Sequence, residues 1–196
     1  MTHQIIDIFP VPLYYEQIDK DLFLNLKQKV LNFIKNNQDK FKNDWDCDTK
    51  SNIKTNFLQN PESKDLRDLI ILSAKNYLKL TKSQDENIVI DDLWINIASY
   101  GAHQESHTHI DHKLNNIFSG VLYISSNVNN GNLVFHAPNK PVVSLFPPPS
   151  SYSLSNVKIE PKEGTLLSFP SWLVHEVYPN KSNQDRISVS WNIKII

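Results

Sequence analysis

The chain of 196 residues carries one cysteine, Cys47. A lone cysteine excludes an internal disulfide and any metal cage built from cysteine thiolates. No apolar run approaches the roughly 20 residues needed to cross a bilayer, so no membrane-spanning helix is expected. The opening MTHQIIDIFPVPLYYEQ has no basic stretch followed by an apolar one. It does not read as a secretory signal, and a cytoplasmic location is expected. An excess of charge of either sign is missing too: 20 basic residues face 21 acidic ones, for a formal net charge of −1. That balance disfavours nucleic acid and membrane surfaces as partners. Arginine is scarce, since Arg67 and Arg186 alone among the 20 basic residues are arginine. A chain that meets its need for positive charge with lysine keeps an arginine for its forked guanidinium.

What is present is ordinary for a globular protein, with 40% hydrophobic and 21% charged residues. One domain over 1–196 is expected, with mostly helical support over 1–87 and a β-rich core over 88–196. From Asp21, read as an N-cap, apolar residues recur at helical spacing at Phe23, Leu26, Val30, Phe33 and Ile34. A second stripe after Pro61 runs through Leu66, Leu69, Ile70, Ser73 and Tyr77. Both helices are expected to pack on a sheet.

From about residue 88 short β-rich runs alternate with turns. VIDDLWINIASY, FSGVLYI, GNLVFH, SYSLSNVKIE, TLLSFP and RISVSWNIKII are separated by NVNNG, NKP, PPPSS, PKEG and YPNKSNQD. Gly131 and Gly164 each precede a strand, where a turn needs unusual dihedrals. The pattern suits a sandwich, jelly roll or barrel. In the last run Ile187, Val189, Trp191, Ile193 and Ile195 point one way, and Arg186, Ser188, Ser190 and Asn192 the other. The polar row is either a solvated face or a cavity lining.

The segment SHTHIDHKLNNIFSGVLYI holds His107, His109, Asp111 and His112, with His103 upstream. His109-Ile110-Asp111 is a His-x-Asp triplet whose outer residues share a side of an extended chain. Two histidines and one carboxylate on one face, with open positions opposite, are the ligand set of non-haem Fe(II) oxygenases. His175, in FPSWLVHEVYPN, is the candidate third ligand, 64 residues beyond Asp111. Arg186 follows eleven residues later. A hairpin through YPNKSNQD is expected to lay its strand beside that of His175. Arg186 and Ser188 could then clasp the far carboxylate of a diacid shaped like 2-oxoglutarate, whose other end chelates the metal. Tyr123 can hydrogen-bond the same molecule or pack in the core, and Asn96 is a further candidate. Trp45, Cys47 and the SNIKTNF run are read as structural.

These motifs resemble those of the 2-oxoglutarate/Fe(II)-dependent oxygenases, specifically a small group found in marine bacteria and their phages. The resemblance spans nearly the whole chain, through IFPVPLYYEQI, LWINIASYG, NNIFSGVLYI, GNLVFHAP, GTLLSFPSWLVHEVYPN and RISVSWN. It implies a mainly β fold with N-terminal helices (α+β), a cupin-like double-stranded β-helix or jelly roll. It implies His109, Asp111 and His175 as metal ligands, with Arg186 and Ser188 for the cosubstrate. Fe(II), 2-oxoglutarate and O2 would be used, with hydroxylation of a substrate and release of succinate and CO2. Members that halogenate lack the carboxylate ligand, so Asp111 favours hydroxylation. Relatives carry alternating histidines before an N-S-x-x-S-G-V run, so His107 with His109 is a second register, giving a three-histidine site.

Two other readings stand beside this one. A cupin-like three-histidine dioxygenase would not need 2-oxoglutarate, and a non-catalytic metal-binding module would not turn over; a zinc-dependent enzyme on the same fold is less favoured. A small molecule or a peptide is the expected substrate. A homodimer is left open.

Overall fold

The computed structural model describes residues 4, 7, 10–43, 48–55, 57–83, 87–110, 115–139 and 153–196. In chain order the elements are β1 (Tyr14–Gln17), α1 (Lys20–Asn36), β2 (Lys42–Asn43), β3 (Lys50–Ser51), α2 (Lys64–Leu80), β4 (Ile88–Ala98) and β5 (Gln104–His107). Then come β6 (Asn116–Ser125), β7 (Leu133–His136), β8 (Asn156–Ile159), β9 (Thr165–Pro170), β10 (His175–Val177) and β11 (Arg186–Ile195). They form a seven-stranded sheet in the order β1-β9-β6-β11-β4-β3-β2 and a four-stranded sheet in the order β5-β10-β7-β8. Every pairing is antiparallel. The fold is the double-stranded β-helix.

The two helices cover one face of the larger sheet, as their apolar stripes require. Phe23, Leu26, Val30 and Phe33 of α1 and Leu66, Leu69 and Ile70 of α2 share a core with Leu93, Ile95, Leu122, Val189, Trp191 and Ile193. The helix start differs from the expected one. Asp19, not Asp21, caps α1, its carboxylate accepting from the backbone N–H groups of Asp21 and Leu22. Asp21 lies in the first turn, where an acidic side chain favours the positive end of the helix dipole.

The other face of the larger sheet looks toward the smaller one. Along β11 the apolar alternates meet the helices, while Arg186, Ser188 and Ser190 line an internal cavity. Both faces of this strand are therefore covered, and the polar row is a cavity lining. One expectation fails here. β10 and β11 are not hairpin neighbours: β10 lies between β5 and β7 in the small sheet, and β11 between β6 and β4 in the large one. The residues between them carry the chain across from one sheet to the other. Arg186 thus reaches the cavity from the opposite wall to His175.

Gly120 marks a crowded point within the larger sheet. It stands opposite Trp191 in the register, and a Cβ there would lie 2.4 Å from the Trp191 ring and 2.5 Å from the Leu167 carbonyl oxygen. Gly120→Ala is expected to cost about 1–3 kcal/mol through overpacking. At about 2–4 °C per kcal/mol for a chain of this size, a thermal melt resolves it.

Candidate metal centre

β5 and β10 pair so that His107 stands directly opposite His175. Past the end of β5 the chain is drawn back by the His109 N–H, which donates to the Ser171 carbonyl at 2.9 Å, and Asn116 Nδ2 holds the His109 carbonyl at 3.3 Å. These contacts bring His107, His109 and His175 together, with one ligand nitrogen of each within 4.8 Å of the others.

Backbone carbonyls fix two of the rings. His107 Nδ1 donates to the Glu105 carbonyl at 2.7 Å, and His175 Nδ1 to the Leu173 carbonyl at 2.8 Å. A carbonyl can only accept, so Nε2 is the lone-pair nitrogen of each neutral ring. His109 turns its Nε2 to within 3.2 Å of that of His175. Two nitrogens bound at right angles to one ion, each about 2.1 Å away, are about 3.0 Å apart. The spacing and the converging lone pairs fit a shared metal ion, and the donors suit iron among other transition metals.

Burial holds the His109 imidazole down to about 4 and His175 well below 6.5, with nearby His107 the next contribution to each. Both rings are therefore neutral at pH 7, as metal ligands must be. In the metal-free protein the unfolded chain binds more protons than the folded one between about 4 and 6.5. Stability then rises with pH across that window and is lost on acidification. Melts of the metal-free protein from about pH 7 to about pH 4.5 should show a falling Tm, with a slope approaching 1.4 kcal/mol per pH unit for each such histidine. A flat profile would contradict the burial.

The cavity beside the histidines is bounded by β4, β6 and β11. Among the described residues its lining includes one arginine and no acidic residue. Arg186 is 4% exposed, and its Nη1 donates to the Asn130 carbonyl and, at 3.1 Å, to that of Gly131. No carboxylate pairs with it among the described residues. A buried guanidinium without a counter-charge is costly and marks a place for an anion. Ser188, Asn96 and Tyr123 stand side by side on three adjacent strands and all line the cavity. Burial pushes the Tyr123 hydroxyl up to about 12, so it remains a donor.

Of the residues singled out in the sequence, His109, His175, Arg186, Ser188, Tyr123 and Asn96 all line this cavity, and His107 joins them. Asp111 and His112 lie outside the described residues, as do Trp45 and Cys47. His103 is exposed and contributes its backbone carbonyl to Thr49. Trp94 was missed. Its ring lies 5.9 Å from that of His109, and its Nε1 is buried without a partner, as is Asn96 Oδ1. Both atoms belong to cavity-lining side chains. The signal was the period of two that joins Trp94 to Asn96. Asn192 was likewise read as part of a polar row, yet its side chain stands near His109 and is itself held by Asp92 at 3.0 Å and Ser119 at 2.8 Å.

Comparison with known proteins agrees with this geometry. Residues 92–192 match the family described as "Putative 2OG-Fe(II) oxygenase". No curated protein matches the chain. Among solved structures, a Pseudomonas putida prolyl-4-hydroxylase is similar at TM-score 0.68 and 14% identity, over 94% of this chain and 93% of that one. A Trichoplax adhaerens prolyl hydroxylase, in complex with a hypoxia inducible factor oxygen degradation domain peptide fragment, matches at TM-score 0.63 and 16% identity, over 92% and 82%. The non-heme alpha ketoglutarate dependent carbocyclase SnoK, from nogalamycin biosynthesis, matches at TM-score 0.68 and 9% identity, over 93% and 80%. At these identities the structures show the shared fold, and the family match covers more than half of the chain. The chain belongs to the 2OG-Fe(II) oxygenase family and is a 2-oxoglutarate-dependent dioxygenase that uses Fe(II), 2-oxoglutarate and O2.

Proposed function

We propose that this enzyme hydroxylates its substrate, with Fe(II) held by His107, His109 and His175 and 2-oxoglutarate clasped at its far carboxylate by Arg186 and Ser188. The observation that carries the reading is a metal-sized group of three imidazoles sharing one cavity with a buried guanidinium that no carboxylate among the described residues pairs. When bound, iron and 2-oxoglutarate together supply the oxidising chemistry, giving succinate and CO2 and transferring the second oxygen atom to substrate.

The chain's own residues set geometry and exclude water. The carbonyls of Glu105 and Leu173 lock two rings into the metal-binding tautomer. Arg186 offers a planar fork matched to a carboxylate, and the Ser188 and Tyr123 hydroxyls lie beside it as further donors. Asn96 Nδ2 donates to Ser190 Oγ at 3.1 Å. Ser190 can donate equally well, so the amide can turn and offer its N–H groups to an anion. Phe169, Val121 and Leu133 make the remaining wall dry, which strengthens every polar contact inside.

Two ligand sets share His109 and His175. One is completed by His107, which lies within ligand range; the other by Asp111, the carboxylate of the His-x-Asp triplet. We take the first because His107 lies within ligand range; Asp111 lies outside the described residues. Anaerobic titration with Fe(II) and 2-oxoglutarate, followed by the visible charge-transfer band, tests both function and ligands. The wild type should develop the band, His107→Ala should lose it, and Asp111→Ala should keep it. Loss in Asp111→Ala alone would move the third ligand to the carboxylate. No band in the wild type would contradict the proposal.

The substrate class stays at a peptide or a small molecule. Neighbours of the same fold include a hydroxylase bound to a peptide and a carbocyclase from nogalamycin biosynthesis. No helix among the described residues is long and apolar enough to cross a membrane. A single domain over 1–196 working in the cytoplasm, alone or as a homodimer, remains part of the proposal.

A further inference from the structure

Two buried asparagines stand behind Arg186. Asn130 lies in the turn between β6 and β7, Asn180 between β10 and β11; they are 1% and 0% exposed. Asn130 Nδ2 donates to Asn180 Oδ1 at 2.9 Å and to the Gln184 carbonyl at 3.0 Å. Asn180 Nδ2 donates to the carbonyls of Ala98 at 2.9 Å and Gln184 at 2.8 Å. Asn180 Oδ1 also accepts from the Ser182 N–H at 2.8 Å, and Asn130 Oδ1 accepts from that of Asn127. All four amide N–H groups are used, and no ionisable group takes part. Such a fully satisfied network is rigid and does not respond to pH.

The knot fixes where the Asn130 and Gly131 carbonyls point. Between them they take both protons of Arg186 Nη1. The guanidinium keeps Nε and Nη2, one complete fork for one carboxylate. It cannot withdraw, because the backbone fills the space behind it. A Cβ on Gly131 would lie 2.8 Å from Nη1 and 2.0 Å from the Tyr178 carbonyl oxygen, and φ there is +85°. Only glycine allows this approach.

We infer that the Asn130–Asn180 knot is a specificity device: by fixing the reach of Arg186 it selects the five-carbon diacid over its six-carbon homologue, 2-oxoadipate. The inference rests on reading the cavity as a 2-oxoglutarate site. One methylene in a shaped pocket is worth about 10- to 200-fold, and a fixed guanidinium gives the pocket that shape. Loosening the knot lets Arg186 retreat. Asn130 and Asn180 touch neither iron nor cosubstrate, so they are positioning residues.

The test is anaerobic binding of 2-oxoglutarate and of 2-oxoadipate to the Fe(II)-loaded protein, with iron affinity measured separately. The wild type should prefer 2-oxoglutarate by at least about tenfold. In Asn180→Ala that ratio should fall by about tenfold or more, while iron affinity stays within twofold. Asn130→Ser, which removes the same link with a smaller change in shape, should act in the same direction and serves if Asn180→Ala does not fold. A ratio unchanged in a folded variant, or a wild type indifferent to chain length, overturns the inference and leaves the function standing. A wild type that binds neither diacid overturns the function as well.

Discussion

Arg186→Ala is expected to weaken 2-oxoglutarate binding by about thirtyfold or more while the protein still takes up Fe(II). Truncating one partner of a buried charge pair costs about 2–5 kcal/mol, and each 1.4 kcal/mol is tenfold in affinity. Arg186 is buried, it stands on the wall opposite the histidines, and no other lysine or arginine among the described residues lines the cavity to share its role. The loss should therefore fall on the cosubstrate and leave the metal alone. Arg186→Lys should recover only part of it, because an ammonium ion cannot present two parallel N–H groups. The readout is the 2-oxoglutarate concentration at half-saturation of the charge-transfer band, beside a separate iron titration. An unchanged half-saturation would place the diacid elsewhere and would favour a three-histidine dioxygenase that does not need it.

The second large effect belongs to His175. It is common to both ligand sets, 3% exposed, and held by the Leu173 carbonyl so that its lone pair meets that of His109. His175→Ala should lower iron affinity by more than the 10- to 100-fold typical of losing a residue that only orients a ligand. It leaves a ring-shaped hole next to Phe169, 4.8 Å away between centroids. Added imidazole should fill that hole and restore part of the binding. Iron uptake equal to the wild type would show that the three rings meet for another reason.

The sequence was most informative where hydrophobic period and burial coincide. β4, β6, β7, β9 and β11 match runs picked out by alternation and turn residues, because each packs on the core on at least one face. β1 and β5, of four residues each, do not. Neither has a buried residue, whereas the equally short β7 has three, so no apolar run marks them, and their place comes from pairing with β9 and β10. Asp19 went unnoticed because Asp21 carries the same side chain two residues later. The cavity was legible through Arg186 and Ser188 although the imagined hairpin was wrong. Period two fixes which side of β11 they occupy, whichever strand lies beside it. The knot of Asn130 and Asn180 was not legible, since asparagines in turns are common and only the folded chain joins two of them fifty residues apart.

The most direct test is a crystal structure of the protein with Mn(II) in place of Fe(II) and 2-oxoglutarate bound. The keto-acid end should sit on a metal held by the Nε2 atoms of His107, His109 and His175, with the distal carboxylate on Nε and Nη2 of Arg186. A diacid bound away from Arg186, or a metal that His175 does not touch, would contradict the account.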